Sequence, residues 1–356
     1  MKLHRSPIAL LLLFALHCSG VAQVNPSITE QNIRAELSFL ASDAMQGRGS
    51  GTIYERIAAE YIGSQFREFG LEPGGDTDSA GNKGYVQRVP LESAKFVGYG
   101  RDFLVSFLRS PRVNGELDFG RATEAGDSAA TWNAIGILRG SDPQGSSDTI
   151  MLSAHLDHLG VKEALNGDKI FNGADDDASG CVAVMELARV LASGKRPRRT
   201  IYFVCFGSEE RGGLGSRYFI EHSPVPLTQI VADITFEMLG RPDAKVPAGS
   251  LWLTGFERST LGPELAKQGA SLVADPHPEQ SFFQRSDNYS LALRGVVAHT
   301  ISSFGLHSDY HRPSDEVSKI DFPFMTRSLN SLVKPIDWLA NSTFRPAWLP
   351  GKAPTR

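Results

Sequence analysis

The sequence predicts an α/β fold in which helices cover both faces of a sheet. Hydrophobic residues make up 41% and charged residues 21% of a 356-residue chain, the balance of a soluble protein with a sizeable core. After Trp132, strand-like apolar runs alternate with helix-like periodic runs. No repeat or low-complexity linker interrupts them. A single domain over about 24–345, followed by a tail at 346–356, accounts for the pattern.

The first segment reads as a targeting signal. A short basic start with Lys2 and Arg5 precedes the apolar run IALLLLFAL at 8–16. That run is too short for a bilayer core of about 30 Å, which takes roughly 20 apolar residues. Small residues at Gly20 and Ala22 place cleavage after Ala22, so 1–22 is expected to be a signal peptide and the protein secreted or periplasmic, with no transmembrane segment. His17 before Cys18 fits a lipid-attachment site poorly. A formal charge of -4 without a basic cluster argues against a nucleic-acid partner. Three cysteines make no disulfide framework, and Cys181 and Cys205 sit in apolar runs where buried thiols are common.

Two helices open the domain. Residues 28–45 place Ile33, Leu37 and Leu40 on one face, with Ser27 or Thr29 as cap. Residues 55–69 do the same with Ile57, Tyr61, Phe66 and Phe69, ending at Gly70. The intervening GRGSG at 47–51 follows no strand, so it reads as a loop entering a helix, not a phosphate cradle. From 85 to 130 the pattern is weak, with a β-like piece at 103–108. Strands are expected at 134–138, 149–155, 200–206, 230–236, 251–254 and 296–302. Helices are expected at 180–192, 213–221, 261–269, 288–293 and 322–340.

Chemistry-bearing residues gather after the strands. His155 ends the run at 149–155 and Asp157 follows it, and ligands of open α/β sheets collect at strand carboxyl ends. An imidazole there can bind a metal while the acid fixes its tautomer. Alone, a His-x-Asp pair fits a structural hydrogen bond better, and His307-Ser308-Asp309 repeats the spacing. GADDDASG at 173–180 sets three acids before a helix. The helix dipole explains one or two of them, whereas three repel unless a cation neutralises them. Glu209-Glu210, taken singly, reads as a solvated loop. Glu237 closes an apolar run, where burial is costly without a partner. The stretch 305–315 is dense in His and Asp. His, Asp and Glu donors suit Zn²⁺ with an open position. A metal pair about 3.5–4 Å apart needs a bridging carboxylate, further donors and a free base. The chain holds that inventory.

The series HLDH, GADDDASG, GSEE, FEM and YHRPSD, with FLASDAMQGRGSGT before it and FFQRSDNY within it, resembles metallopeptidase family twenty-eight, the co-catalytic di-zinc aminopeptidases and their relatives. The resemblance implies a three-layer α/β/α sandwich around a mixed, mostly parallel sheet. The stretch 90–130 leaves no room for a protease-associated insertion domain. The resemblance further implies two Zn²⁺ ions, with His155, Asp176, Glu210, Glu237 and His311 as ligands and Asp176 as the bridge. Glu209 matches the general base, Asp157 the partner of His155, and Tyr310 the group that polarises the substrate carbonyl. The Asp176–Asp177 peptide bond is expected to be cis. Many aminopeptidases of this type carry Asp at the position of Glu237, and glutamate there also occurs in related carboxypeptidases. Asn288 stands where relatives often have His.

The implied reaction is peptide hydrolysis by a hydroxide bridging the zinc pair, with peptides as substrates and the oligomeric state left open. A carboxypeptidase or dipeptidase of the family is one alternative. A glutaminyl cyclase-like transferase needs one zinc, and a receptor-like relative would have lost ligands, though none is missing here. No G-x-S-x-G elbow supports a serine hydrolase.

Overall fold

The computed structural model describes residues 27–91, 130–143 and 147–355. The signal at 1–22 and the β-like piece at 103–108 lie outside the described residues. Among the described residues nine strands form one sheet: β1 (Glu72–Pro73), β2 (Val86–Pro90), β3 (Ala130–Leu138), β4 (Thr149–His155), β7 (Thr200–Phe206), β8 (Ile230–Phe236), β9 (Leu251–Leu253), β10 (Leu272–Ala274) and β11 (Ala298–Ser302). Their order is β1-β3-β7-β4-β8-β11-β9-β10, with β2 also on β3. The centre, β7-β4-β8-β11, is parallel; β3 meets β7 and β9 meets β11 antiparallel. The sheet is mixed, as expected: its centre is parallel, β10 also runs parallel to β9, and the antiparallel pairs are those of β3 with β1, β2 and β7 and of β9 with β11. A separate hairpin, β5 (Gly160–Leu165) and β6 (Asp168–Phe171), completes the strands.

Residue parity sorts the core into two layers, because side chains alternate faces along a strand. Ile150, Leu152, Ile201, Phe203 and Ile234 face one hydrophobic cluster with helices Glu30–Leu40, Ile53–Glu68, Ser179–Ser193 and Phe322–Asn341. Met151, Tyr202, Val204 and Phe206 face the other, with Phe219 and Leu291 from helices Leu214–Glu221 and Asn288–Ala292. Three layers result. Strands β4, β7 and β8 are buried along their whole length, which is why they read as continuous apolar runs.

Some expectations shift. Thr29, not Ser27, caps the first helix, accepting from the Asn32 amide at 3.2 Å. That helix stops at Leu40, and a 3₁₀ turn takes Asp43–Arg48. In the second helix Ile57 is 39% exposed. The buried stripe runs instead through Ala58, Ala59, Ile62 and Phe66, whose small alanines let the helix lie close to its neighbours. Cys181 and Cys205 are buried free thiols. Beyond 345 the chain returns to the domain, where the Trp348 ring lies 5.2 Å from His299 and 6.1 Å from Phe283. No helix among the described residues is long and apolar enough to cross a membrane.

Arg48, in the glycine-rich loop, ties the amino-terminal segment to the carboxyl edge of the sheet. Its fully buried guanidinium donates to the carbonyls of Leu156, Leu40, Asn172 and Gly173 at 2.7–2.9 Å. Its own carbonyl accepts from the His158 amide at 3.1 Å. The loop grips backbone, not phosphate. Arg48→Lys loses the planar fork that meets several carbonyls at once. With buried acceptors orphaned at about 1–3 kcal/mol each, this variant should lose at least about 3 kcal/mol in chemical denaturation; a loss below about 1 kcal/mol would contradict the role.

Asp233 sits in the middle of the sheet, accepting from Ser153 at 2.9 Å and Thr235 at 3.0 Å. Burial pushes its carboxyl up to about 7 despite those bonds. The folded form therefore keeps a proton that the unfolded chain releases near pH 4. Stability from this group is present below that pH and is lost as pH rises through about 7. Asp233→Asn should thus gain melting temperature over the parent between pH 5 and pH 8, by at least about 2 °C, the effect of ~1 kcal/mol in a domain of this size. A constant difference across that range would refute the assignment.

Candidate metal centre

Because β4, β7, β8 and β11 run parallel, their carboxyl ends deliver His155, Glu209-Glu210, Glu237 and the loop carrying His311 to one edge of the sheet. There the side chains meet. His155, Asp176 and Glu237 bring one ligand atom each within 4.8 Å of one another, and His158, Asp176 and Glu210 do the same. The two oxygens of Asp176 face different partners. Oδ1 lies 3.1 Å from His155 Nε2, and Oδ2 lies 3.2 Å from His311 Nε2. His311 Nε2 is also 3.2 Å from Glu210 Oε1. All five expected ligands converge.

The three consecutive aspartates divide the work. Asp175 accepts from the Gly240 amide at 2.7 Å and meets His307 Nε2 at 3.0 Å. Asp177 accepts from the amides of Gly180 and Met238 at 3.1 Å and of His155 at 3.2 Å. Only the middle acid points into the centre. The Asp176–Asp177 bond is cis. Small residues bracket the triplet for steric reasons: a Cβ on Gly180 would strike the Asp177 carboxylate and the Phe236 carbonyl, and Gly173 sits at φ +61°.

Asp157 meets both neighbours, Glu209 through its carboxylate and His155 through its carbonyl. Its carboxylate accepts from the Ser50 hydroxyl and, at 2.9 Å, from the Glu209 amide. His155 Nδ1 lies 3.1 Å from the Asp157 carbonyl oxygen but 3.7 Å from the carboxylate. The main chain thus fixes the ring and leaves Nε2 facing Asp176. Glu55, also buried, accepts from the amides of Gly51 at 2.7 Å and Ser208 at 2.9 Å, anchoring the turn before Glu209.

Zinc fits this donor set. Asp176 Oδ2 and Glu210 Oε1 are buried atoms with no hydrogen-bond partner, oxygens that a cation would satisfy. Burial alone would depress His311, but Glu210 and Asp176 outweigh it and lift the imidazole to about 10. Burial raises the Glu209 carboxyl well above its usual range; His155 opposes this, and Glu237, Asp287 and Glu210 add to it. Burial, with Asp176 and Glu210, also lifts the Tyr310 phenol and keeps it protonated. Its ring stacks on His311 at 3.9 Å, and its hydroxyl meets Arg285 at 3.3 Å.

These groups line an open cleft of about 480 Å³, walled on its apolar side by Met238, Trp252, Phe282 and Phe304. Sequence reasoning pointed to the five residues that the fold brings together but passed over His158, although HLDH displays it, because nothing in an irregular segment tells which way a ring points. It also passed over Arg285, Ser50 and Glu55.

Residues 133–333 match peptidase family M28. A probable leucine aminopeptidase 2 of Aspergillus oryzae is 25% identical over 48% of this chain and 33% of its own length. Leupeptin-inactivating enzyme 1 of Streptomyces exfoliatus is 28% identical over 37% of this chain and 29% of its own. The chain thus spans a third or less of these relatives. Among solved structures, a zinc aminopeptidase from Bacillus subtilis superposes with a TM-score of 0.63 at 19% identity, covering 90% of this chain and 97% of that one. The aminopeptidase from Aneurinibacillus sp. strain AM-1 gives 0.61 at 17% identity, covering 92% and 98%. The fold is theirs. With the family match spanning more than half of its length, the chain belongs to peptidase family M28.

Proposed function

We propose that this protein is a zinc-dependent aminopeptidase, exported from the cytoplasm, that removes amino-terminal residues from peptides with Glu209 as general base. The observation that carries this reading is the split carboxylate of Asp176, one oxygen toward His155 and the other toward His311. His155, Asp176 and Glu237 would hold one ion, and Asp176, Glu210 and His311 the other. Bound there, zinc supplies a Lewis acid for the scissile carbonyl and lowers the pKa of water.

The chain's own groups do the rest. Glu209, on the cleft wall and made more basic by burial, takes a proton from the attacking water and returns it to the leaving amine. The Tyr310 hydroxyl, steadied by Arg285, donates to the carbonyl oxygen as that atom gains charge. Glu209 and Glu237 present negative charge to a free amino terminus, and the wall of Met238, Trp252, Phe282 and Phe304 receives an apolar side chain. The basic and apolar pattern of the first 22 residues supports export.

One observation favours a second reading. Arg285 places a guanidinium in the cleft, suited to a terminal carboxylate, as in a carboxypeptidase or dipeptidase. A peptide panel separates the two. The aminopeptidase reading expects C-amidated peptides to be cut and N-acetylated ones to be inert; the reverse pattern overturns it. Glu209→Gln should retain zinc yet lose at least ~10²-fold in kcat, the scale of general acid–base catalysis. Undiminished turnover at full zinc content would remove Glu209 from the mechanism.

A further inference from the structure

His158 stands outside the five-ligand set, yet its ring reaches the same place. The imidazole is fully buried and neither of its nitrogens has a hydrogen-bond partner. Asp176 Oδ2 and Glu210 Oε1 share that condition. His158 Nδ1 lies 2.9 Å from Glu210 Oε1 and 3.8 Å from Asp176 Oδ2. Short separations without hydrogen-bond alignment are what donors show when their lone pairs converge on a common point.

The spacing suits zinc. Zinc bonds of about 2.0–2.1 Å to nitrogen and oxygen set neighbouring tetrahedral donors roughly 3.3–3.4 Å apart. Four of the six separations among His158 Nδ1, Glu210 Oε1, Asp176 Oδ2 and His311 Nε2 are 2.9, 3.2, 3.2 and 3.8 Å, on both sides of that edge length. The ring is also held in register, since the His158 amide donates to the Arg48 carbonyl and Gly49 pairs with His158 as an isolated bridge.

We infer that His158 Nδ1 is a fourth protein donor to the ion held by Asp176, Glu210 and His311. The inference rests on the two-ion reading above and makes its two positions unequal. Four protein donors close one position, as in structural zinc sites, while His155, Asp176 and Glu237 leave the other open for a non-protein ligand. An imidazolium merely paired with Glu210 would create no such asymmetry.

Zinc titration of the metal-stripped protein against a competing chelator tests this, with the parent beside His158→Ala and His158→Gln. The parent should take up two ions of unequal affinity. In the variants the tighter ion should weaken by at least about 100-fold, the upper end of what loss of an outer hydrogen-bond partner costs. Unchanged tight binding in a folded variant overturns the inference. A parent that holds one ion contradicts the two-ion reading, and the same comparison still decides His158: weakening supports it, constancy overturns it. A spectroscopic arm uses His158→Cys loaded with Co²⁺. Because Nδ1 lies near the main chain, a thiolate with its longer bond of about 2.3 Å can take its place. A thiolate-to-cobalt charge-transfer band absent from the parent, whose own thiols are buried, supports ligation; no new band overturns it.

Discussion

Two histidines on opposite sides of one carboxylate set the terms for the rest of the structure. Asp176 is buried, and its oxygens are parted between His155 and the pair Glu210–His311. A carboxylate so placed is costly unless positive charge meets it on both sides. Each flanking aspartate is turned away by backbone amides, which leaves the middle one alone in the centre. In the proposed reading that charge comes from two cations, and the donors around the carboxylate are those zinc accepts.

That placement depends on parts of the chain far from it in sequence. Parallel strands bring four carboxyl ends to a common edge, while the amino-terminal segment braces them from outside. Arg48, Ser50 and Glu55 reach respectively the carbonyls of Leu156 and Gly173, the Asp157 carboxylate and the Ser208 amide. Asp315 adds a carboxylate under the amides of Asp175 and Asp176, at 3.0–3.1 Å. The supports of the centre are polar, buried and hydrogen-bonded, which fixes where its side chains sit.

Much of this was legible. Strands β4, β7 and β8 were readable to the residue, because burial on both faces writes an unbroken apolar run between turn signals. The convergence of the five candidate ligands was readable because they follow strands and form family motifs. The β5–β6 hairpin was missed because its residues are mostly exposed and its apolar pattern is poor, although Asn166-Gly167 is a recognisable hairpin turn, with φ of +55° and +92°. Ile57 was set on the wrong face because the packed stripe is built from alanines, which a search for large apolar residues undervalues. The orientation of His158, and which atom of Asp157 meets His155, were hidden for a different reason. Ring orientation, and the choice between a carboxylate and a carbonyl two residues away, depend on tertiary contacts that spacing does not encode.

The most direct measurement is zinc-edge anomalous diffraction from crystals of the zinc-loaded protein. The account predicts two peaks about 3.5–4 Å apart, flanking the Asp176 carboxylate, one beside His155 and Glu237 and the other beside Glu210 and His311. A single peak, or peaks remote from Asp176, would contradict it.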